Sequence, residues 1–311
     1  MKTLGRHLKE YLALRRQLGF KFYVEGSHLG SFVRFARECG VKIITTKLAV
    51  RWATRPANIA QKQRAKRLGV VRGFAEYLQP LEPRTEVPSP KLLPARVFRP
   101  EPFLYTDNQV DQLIGAARQI DPQHPIKGLS LSTLLGLLAV TGMRVSEALA
   151  LDRKDVDLSD ALVTLRHSKG NKSRLIPLHS STVLALKEYA RIRDELYPQP
   201  FTPRFLLWEG GGRLRYQVAW EWFREAACRA GLRPLSGGRG GPRIHDLRHR
   251  FAIRTLVNWY HGSADVDARL PELATFLGHG HVSDTYWYVS AVPELLALAT
   301  RRWERAEKGA K

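Results

Sequence analysis

The sequence predicts a mainly α fold with one small antiparallel β-sheet, an α+β chain built as two domains. Three observations predict it. Apolar residues recur at helical spacing through residues 1–80 and again from about residue 107 onward. A proline-rich stretch, residues 81–103, has no such periodicity and separates the two regions. Between residues 155 and 178, three short alternating runs are bounded by turn residues, as strands of a small sheet would be. At 311 residues and 44% apolar content the chain can build a core in each region.

In the first region, apolar spacing predicts helices over Leu4–Leu18, His28–Glu38, Leu48–Thr54 and Arg64–Leu78. Residues 1–80 hold 17 Lys+Arg against 4 Asp+Glu, so this quarter carries more than half of the whole chain's formal charge of +21. A small helical domain with that bias suits a clamp on a phosphate backbone better than a catalytic unit. The stretch 81–103 reads as a semi-rigid extended linker, because proline removes the donors that regular ladders need.

Beyond it, residues 104–311 read as a second, larger domain. Thr106 is placed to cap a helix over Asp107–Ile120. Apolar helices follow at Leu129–Val140 and Val145–Leu151. Asp155–Leu158, Ala161–Arg166 and Ser173–Leu178 form the predicted sheet, with turns at Ser159-Asp160 and Gly170-Asn171. Helices are expected at about 181–196, 216–230, 245–260 and 271–278, with a last pair at the end of the chain. The final segment, with Leu295, Leu296, Ala299 and Trp303 on one side, reads as an amphipathic tail helix.

The charge balance points to nucleic acid as partner. Acidic lipid is the rival, but no separate basic amphipathic helix or lipidation motif is present. Cys39 and Cys228 are the only cysteines, so no disulfide framework is expected and a reducing compartment is implied. The N-terminus lacks an apolar run of signal-peptide length, and Leu129–Val140 is too short to span a bilayer. These features predict a cytoplasmic protein with no membrane partner. The glycine-rich GGRGGPR at 237–243 lacks the Gly-Lys-Ser/Thr ending of a phosphate loop, so nucleotide hydrolysis is not expected.

Four clusters carry reactive side chains: TGMRVSEALAL at 141–151, HSKGNKSRLIPL at 167–178, IHDLRHRFA at 244–252 and TFLGHGHVSDTYWYV at 275–289. One reading of the histidines is a zinc site. His245 and His249 have the i, i+4 spacing of helical ligands, and His279 and His281 would complete it. Against it, the glutamate that such a motif needs beside its first histidine is an aspartate here, and Arg248 would lie in the cation's field.

Taken together and in this order, the clusters resemble the tyrosine recombinase (phage integrase) family. That family shows T-G-x-R-x-x-E, a lysine in a β-hairpin turn, H-x-L-R, L-G-H, and a tyrosine nine residues past that last histidine. Here those positions are Arg144 with Glu147, Lys169, His245 with Arg248, Leu277-Gly278-His279 and Tyr288. The match covers roughly residues 104–290, and residues 281–296 look most like recombinases of bacterial mobile elements. The resemblance implies a catalytic set of Arg144, Lys169, His245, Arg248, His279 and the nucleophile Tyr288, with no cofactor, metal or ATP. Lys172 competes with Lys169, but the family pattern places the lysine before the glycine of the turn. By the same resemblance His245 assists removal of the phenol proton and His279 contacts a phosphate oxygen. Glu147 is expected to orient Arg144, while Arg166 and Arg174 are read as strand residues touching backbone phosphate. Arg250 stands where the family often has Ser or Thr.

Tyr286 and Tyr288, two apart on a helix, point in nearly opposite directions, so only one can face the phosphate. The resemblance further implies double-stranded DNA as partner, a homo-tetramer on two DNA sites, possible sister recombinases, and a tail helix that docks on a neighbouring protomer. A DNA-binding accessory protein that does not cut, and a topoisomerase-like enzyme that relaxes DNA without strand exchange, are the alternatives.

Overall fold

The computed structural model describes residues 3–55, 57–94, 101–166, 173–233, 241–262 and 264–309. The chain divides into two compact units, Met1–Pro100 and Glu101–Lys311. Among the described residues no helix is long and apolar enough to cross a membrane.

Among its described residues the first unit holds four helices: α1 (Leu4–Gln17), α2 (Tyr23–Glu38), α3 (Thr46–Thr54) and α4 (Gln61–Leu78). Thr3 and Thr45 cap α1 and α3, their side-chain oxygens accepting from the backbone N–H of Arg6 and Leu48. The helical stripes converge on a core of Leu29, Phe32, Ala36, Trp52, Val71, Phe74 and Ala75. Part of the expected linker belongs to this unit. The Glu86 N–H donates to the Ile44 carbonyl at 2.9 Å, and the Glu86 carboxylate accepts from the Thr46 N–H at 2.8 Å. Val87 and Leu93 pack on the helical core. Proline excludes this segment from ladders but does not prevent its apolar side chains from being buried.

The second unit is built around α6 (Pro125–Thr141), preceded by α5 (Asp107–Arg118). Thr106 and Gln109 make a reciprocal capping box at the start of α5. Helix α6 is apolar on nearly every side, burying Ile126, Leu131, Leu134, Leu135, Leu137 and Leu138, as befits a central element. It packs against α5, α8 (Ser180–Leu196), α9 (Tyr216–Arg229) and α10 (Asp246–His261). The short helix α7 (Val145–Ala148) follows it. The sheet has the order β1-β2-β3, formed by Val156–Asp157, Leu162–Leu165 and Arg174–Pro177, and both pairs are antiparallel. Val163 opposes Ile176 and both are fully buried, which fixes the register.

Three helices complete the unit: α11 (Val266–Leu277), α12 (Ser283–Ala291) and α13 (Pro293–Gly309). Helix α11 begins five residues before Pro271, where the sequence reading had started it. Asp265 caps it by accepting from the N–H groups of Asp267 and Ala268, and Pro271 is carried inside the helix. A separate cluster, with Leu256, Leu270, Leu277, Tyr288, Val292 and Leu295, joins α10 to α13. Within this single chain the tail helix α13 packs on α10, with Leu295 fully buried. Leu296 and Trp303 remain exposed.

Candidate active site

The T-G-x-R segment is shaped by Gly142, which ends α6 in the left-handed region at φ 59°. A Cβ there would lie 2.4 Å from the Phe251 ring, so a side chain is excluded by space as well as by backbone. The turn places Arg144 at the N-terminus of α7, where Glu147 accepts its backbone N–H at 2.8 Å and its guanidinium at 2.8 Å. The same carboxylate accepts two further bonds from the Arg174 guanidinium, at 3.1 and 2.8 Å. Burial pushes the Glu147 carboxyl up, but the bonds from Arg174 and Arg144 outweigh it and hold the group below the usual carboxylate range. Glu147 thus anchors two cations at once, one more than the sequence reading gave it.

The end of α11 supplies the second set of anchors. Its last carbonyls lack partners within the helix, and three arginines provide them. The Phe276 carbonyl accepts from Arg174 Nε at 2.9 Å, the Leu277 carbonyl from Arg248 at 2.8 Å, and the Gly278 carbonyl from Arg144 at 2.6 Å. Arg248 also donates to the Gly142 carbonyl at 2.6 Å. The negative end of the helix dipole favours this gathering of cations. Gly278 must be glycine: φ is 68°, and a Cβ would lie 2.7 Å from the Arg174 guanidinium and 3.2 Å from that of Arg144. The Leu-Gly-His motif is thus the place where α11 hands its carbonyls to three guanidiniums.

Arg174 is the site residue that the sequence reading missed. It had been assigned to backbone phosphate with Arg166, but only 12% of its side chain is exposed and it reaches inward from β3. The signal available was its unbroken run with the lysine hairpin. Arg166 pairs instead with Asp155 at 2.7 Å. Arg250 points away from the site, donating to the Tyr105 carbonyl at 3.0 Å and to Asp107.

Arg248 is almost wholly buried; burial lowers its guanidinium to about 10, so it stays protonated at neutral pH. His245 and His279 are each lowered to about 4, by burial first and then by Arg248, so both rings are neutral. The Nδ1 of His279 lies 2.7 Å from Thr285 Oγ1, tying the Leu-Gly-His turn to α12. Tyr288 is turned inward, 2% exposed, while Tyr286 on the opposite side of α12 is 49% exposed. The Tyr288 ring stacks with that of His279 at 6.2 Å, and its Oη lies 3.2 Å from His249 Nδ1.

Arg144, His245, Arg248, His279 and Tyr288 are therefore brought to one place. Lys169 and its rival Lys172 lie outside the described residues, as does the Gly170-Asn171 turn. The zinc arrangement is not formed. Among the described residues the three-ligand grouping is Asp121, His124 and Glu209, not the four histidines of the sequence reading. The aspartate of the His-Asp pair, Asp246, is fully buried and binds Arg243 at 2.6 Å, which fixes the entry to α10.

Two guanidiniums fixed side by side, Arg144 by Glu147 and the Gly278 carbonyl and Arg248 by the Gly142 and Leu277 carbonyls, are placed to share one phosphodiester through planar donors. Comparison with known proteins identifies the family. Residues 104–294 match the model of the phage integrase family. The chain is 39% identical to the putative integrase/recombinase y4rB of Sinorhizobium fredii over 309 residues, covering 98% of both. It is 34% identical to the tyrosine recombinase XerC of Herpetosiphon aurantiacus, covering 72% of this chain and 67% of that one. In fold it is similar to the Tn1549 transposon integrase in complex with transposon right end DNA, with a TM-score of 0.69 at 15% identity over 98% of this chain and 99% of that one. It is also similar to the XerH recombinase bound to its difH substrate, with a TM-score of 0.64 at 21% identity over 92% and 80%. The chain belongs to the phage integrase family and is a tyrosine-type site-specific recombinase.

Proposed function

We propose that the protein cleaves and rejoins duplex DNA through a 3′-phosphotyrosyl link to Tyr288, with no metal or ATP. The carrying observation is the convergence of Arg144, Arg248 and Arg174 on three consecutive carbonyls beside the Tyr288 phenol. Tyr288 Oη attacks the scissile phosphorus, and the P–O5′ bond breaks. Arg144 and Arg248 stabilise the extra negative charge of the five-coordinate phosphorus; fixed donors of this kind contribute roughly 3–4 kcal/mol each. Arg174 holds Glu147 and thereby the approach of Arg144. His279 donates to a phosphate oxygen from its ring edge, and His245 contributes at the same face. Lys169 gives the leaving 5′-hydroxyl its proton. A 5′-hydroxyl from the partner duplex then attacks the phosphotyrosyl phosphorus, exchanging strands without loss of bond energy.

The basic helical unit grips the duplex backbone, and the catalytic unit carries the cleavage chemistry. Four copies assemble on two DNA sites, and the outward Leu296 and Trp303 of α13 supply apolar contact between them. The likeness to a transposon integrase and to a putative integrase/recombinase supports a role on a mobile element, acting in the cytoplasm with or without sister recombinases.

The test uses nicked duplex DNA taken from the segments flanking the gene, so that a cleaved strand diffuses away and traps the adduct. The wild-type chain should form a denaturant-resistant protein–DNA species, and Tyr288→Phe should bind the same DNA yet form none. An adduct that survives in Tyr288→Phe would overturn the assignment.

A further inference from the structure

The phenol must lose its proton as it attacks, and on this point the geometry departs from the family-based expectation. We propose that His249, and not His245, is the base that takes the Tyr288 proton. This rests on the phosphotyrosyl reading above.

The Nδ1 of His249 lies 3.2 Å from Tyr288 Oη, within reach of a hydrogen bond from the phenol O–H to an imidazole lone pair. That bond requires the tautomer with hydrogen on Nε2. The ring is fixed on two sides: His245 meets it edge-on at 4.8 Å and the Trp287 ring lies at 5.4 Å. Trp287 and Tyr288 are adjacent on α12, so the residue that confines the base moves with the nucleophile it serves. His245, at the N-cap of α10, and His249 are spaced i, i+4 and share one face, but only His249 reaches the phenol oxygen.

The charged and titratable neighbours keep His249 unprotonated. Burial lowers it to about 3, and His245, Arg243, Arg248 and His279 all push in the same direction. At neutral pH the lone pair is therefore free. A base this weak still suffices, because the phenol proton becomes strongly acidic once its oxygen bonds to phosphorus. The arriving phosphodiester adds negative charge beside the ring and raises its basicity.

The step balances. A lone pair of Oη forms the Oη–P bond, the P–O5′ pair leaves with O5′, and the phenol proton passes to Nδ1 to give an imidazolium. In religation the incoming 5′-hydroxyl displaces Oη, which recovers the same proton.

The experiment measures single-turnover adduct formation by the full chain on the nicked DNA between pH 6 and 9.5. His249→Asn keeps an acceptor near the Nδ1 position, and so the placement of the phenol, but cannot carry the proton. Its rate should fall by about 10²–10⁴-fold at pH 7. The deficit should then shrink about tenfold per pH unit as the phenol, with a solution value near 10, begins to ionise unaided. In His249→Ala, added imidazole should restore part of the rate in proportion to its neutral form. His245→Asn should lose rate by a factor that does not change with pH. A deficit in His249→Asn that is constant with pH, or a rate within about threefold of wild type, overturns the proposal. So does a pH-dependent deficit in His245→Asn in its place. If the wild-type chain forms no adduct, the phosphotyrosyl reading itself fails; if it does while His249 is dispensable, only this assignment falls.

Discussion

The arginines of the two units are held in different ways. In the helical unit several lie over aromatic rings: Arg15 lies 4.6 Å from the centre of Phe20, and Arg51 and Arg55 both cover Phe35. A cation above a ring keeps most of its donors for other partners and can slide at little cost. In the catalytic unit Arg144, Arg174 and Arg248 are tied to backbone carbonyls and to Glu147 by bonds of 2.6–3.1 Å. The contrast fits the two tasks proposed above. Gripping a polyanion whose phosphates vary in position favours adjustable cations, whereas stabilising one transition state favours cations that need no rearrangement as charge develops.

The largest effect expected from breaking this contrast is at Glu147. Glu147→Ala leaves two neighbouring guanidiniums without their shared carboxylate, and loss of one partner from a buried ionic network typically costs about 3–5 kcal/mol. Urea unfolding should show that loss, while Arg55→Ala on the helical unit serves as the control. Gly278→Ala comes next. It forces a side chain into the left-handed region and against two guanidiniums, for a cost of about 1–3 kcal/mol. It should also slow adduct formation by about 10²-fold, since small misplacements of reacting groups have that effect.

A pH series sharpens the same point. The folded carboxyl of Glu147 lies below its unfolded value of about 4.3, so its stabilisation is complete above that pH and is lost as pH falls through the folded value. The stability difference between wild type and Glu147→Gln should accordingly be constant near neutrality and shrink below about pH 4. A difference unchanged down to pH 3 would show that the carboxylate's charge is not what matters. The smallest effect is expected from Arg55→Ala. Its ion pair with Glu38 is exposed at 3.5 Å, so stability should change by less than about 1 kcal/mol. DNA binding should instead show a salt slope reduced by about one.

Much of the fold was legible because helical periodicity and caps are local signals. Thr106, Gly142 and the alternation in β2 and β3 each announce their element. The start of α11 was not legible, since Pro271 reads as a boundary, and only the Asp265 cap upstream shows that the helix has already begun. The packing of residues 81–94 was hidden for a similar reason: proline content describes the backbone and says nothing about where Val87 and Leu93 are buried. In the candidate site, Arg144, Arg248, His279 and Tyr288 were legible through motif spacing. Arg174 was not, because alternation along a strand does not reveal an arginine that folds back toward a helix end. His249 was weighed only as a metal ligand, since its link to Tyr288 spans 39 residues and depends on how α12 crosses α10.

The three arginine anchors at the end of α11 are main-chain atoms, and that has a consequence for how such a protein can change. Point substitutions along α11 cannot delete a carbonyl, so its outward face can drift, or be re-engineered, without disturbing the arginines. A single inserted or deleted residue is another matter. It would turn the helix end by about 100° and remove all three acceptors together. Sequence length in α11, more than sequence identity, is what the chemistry holds constant.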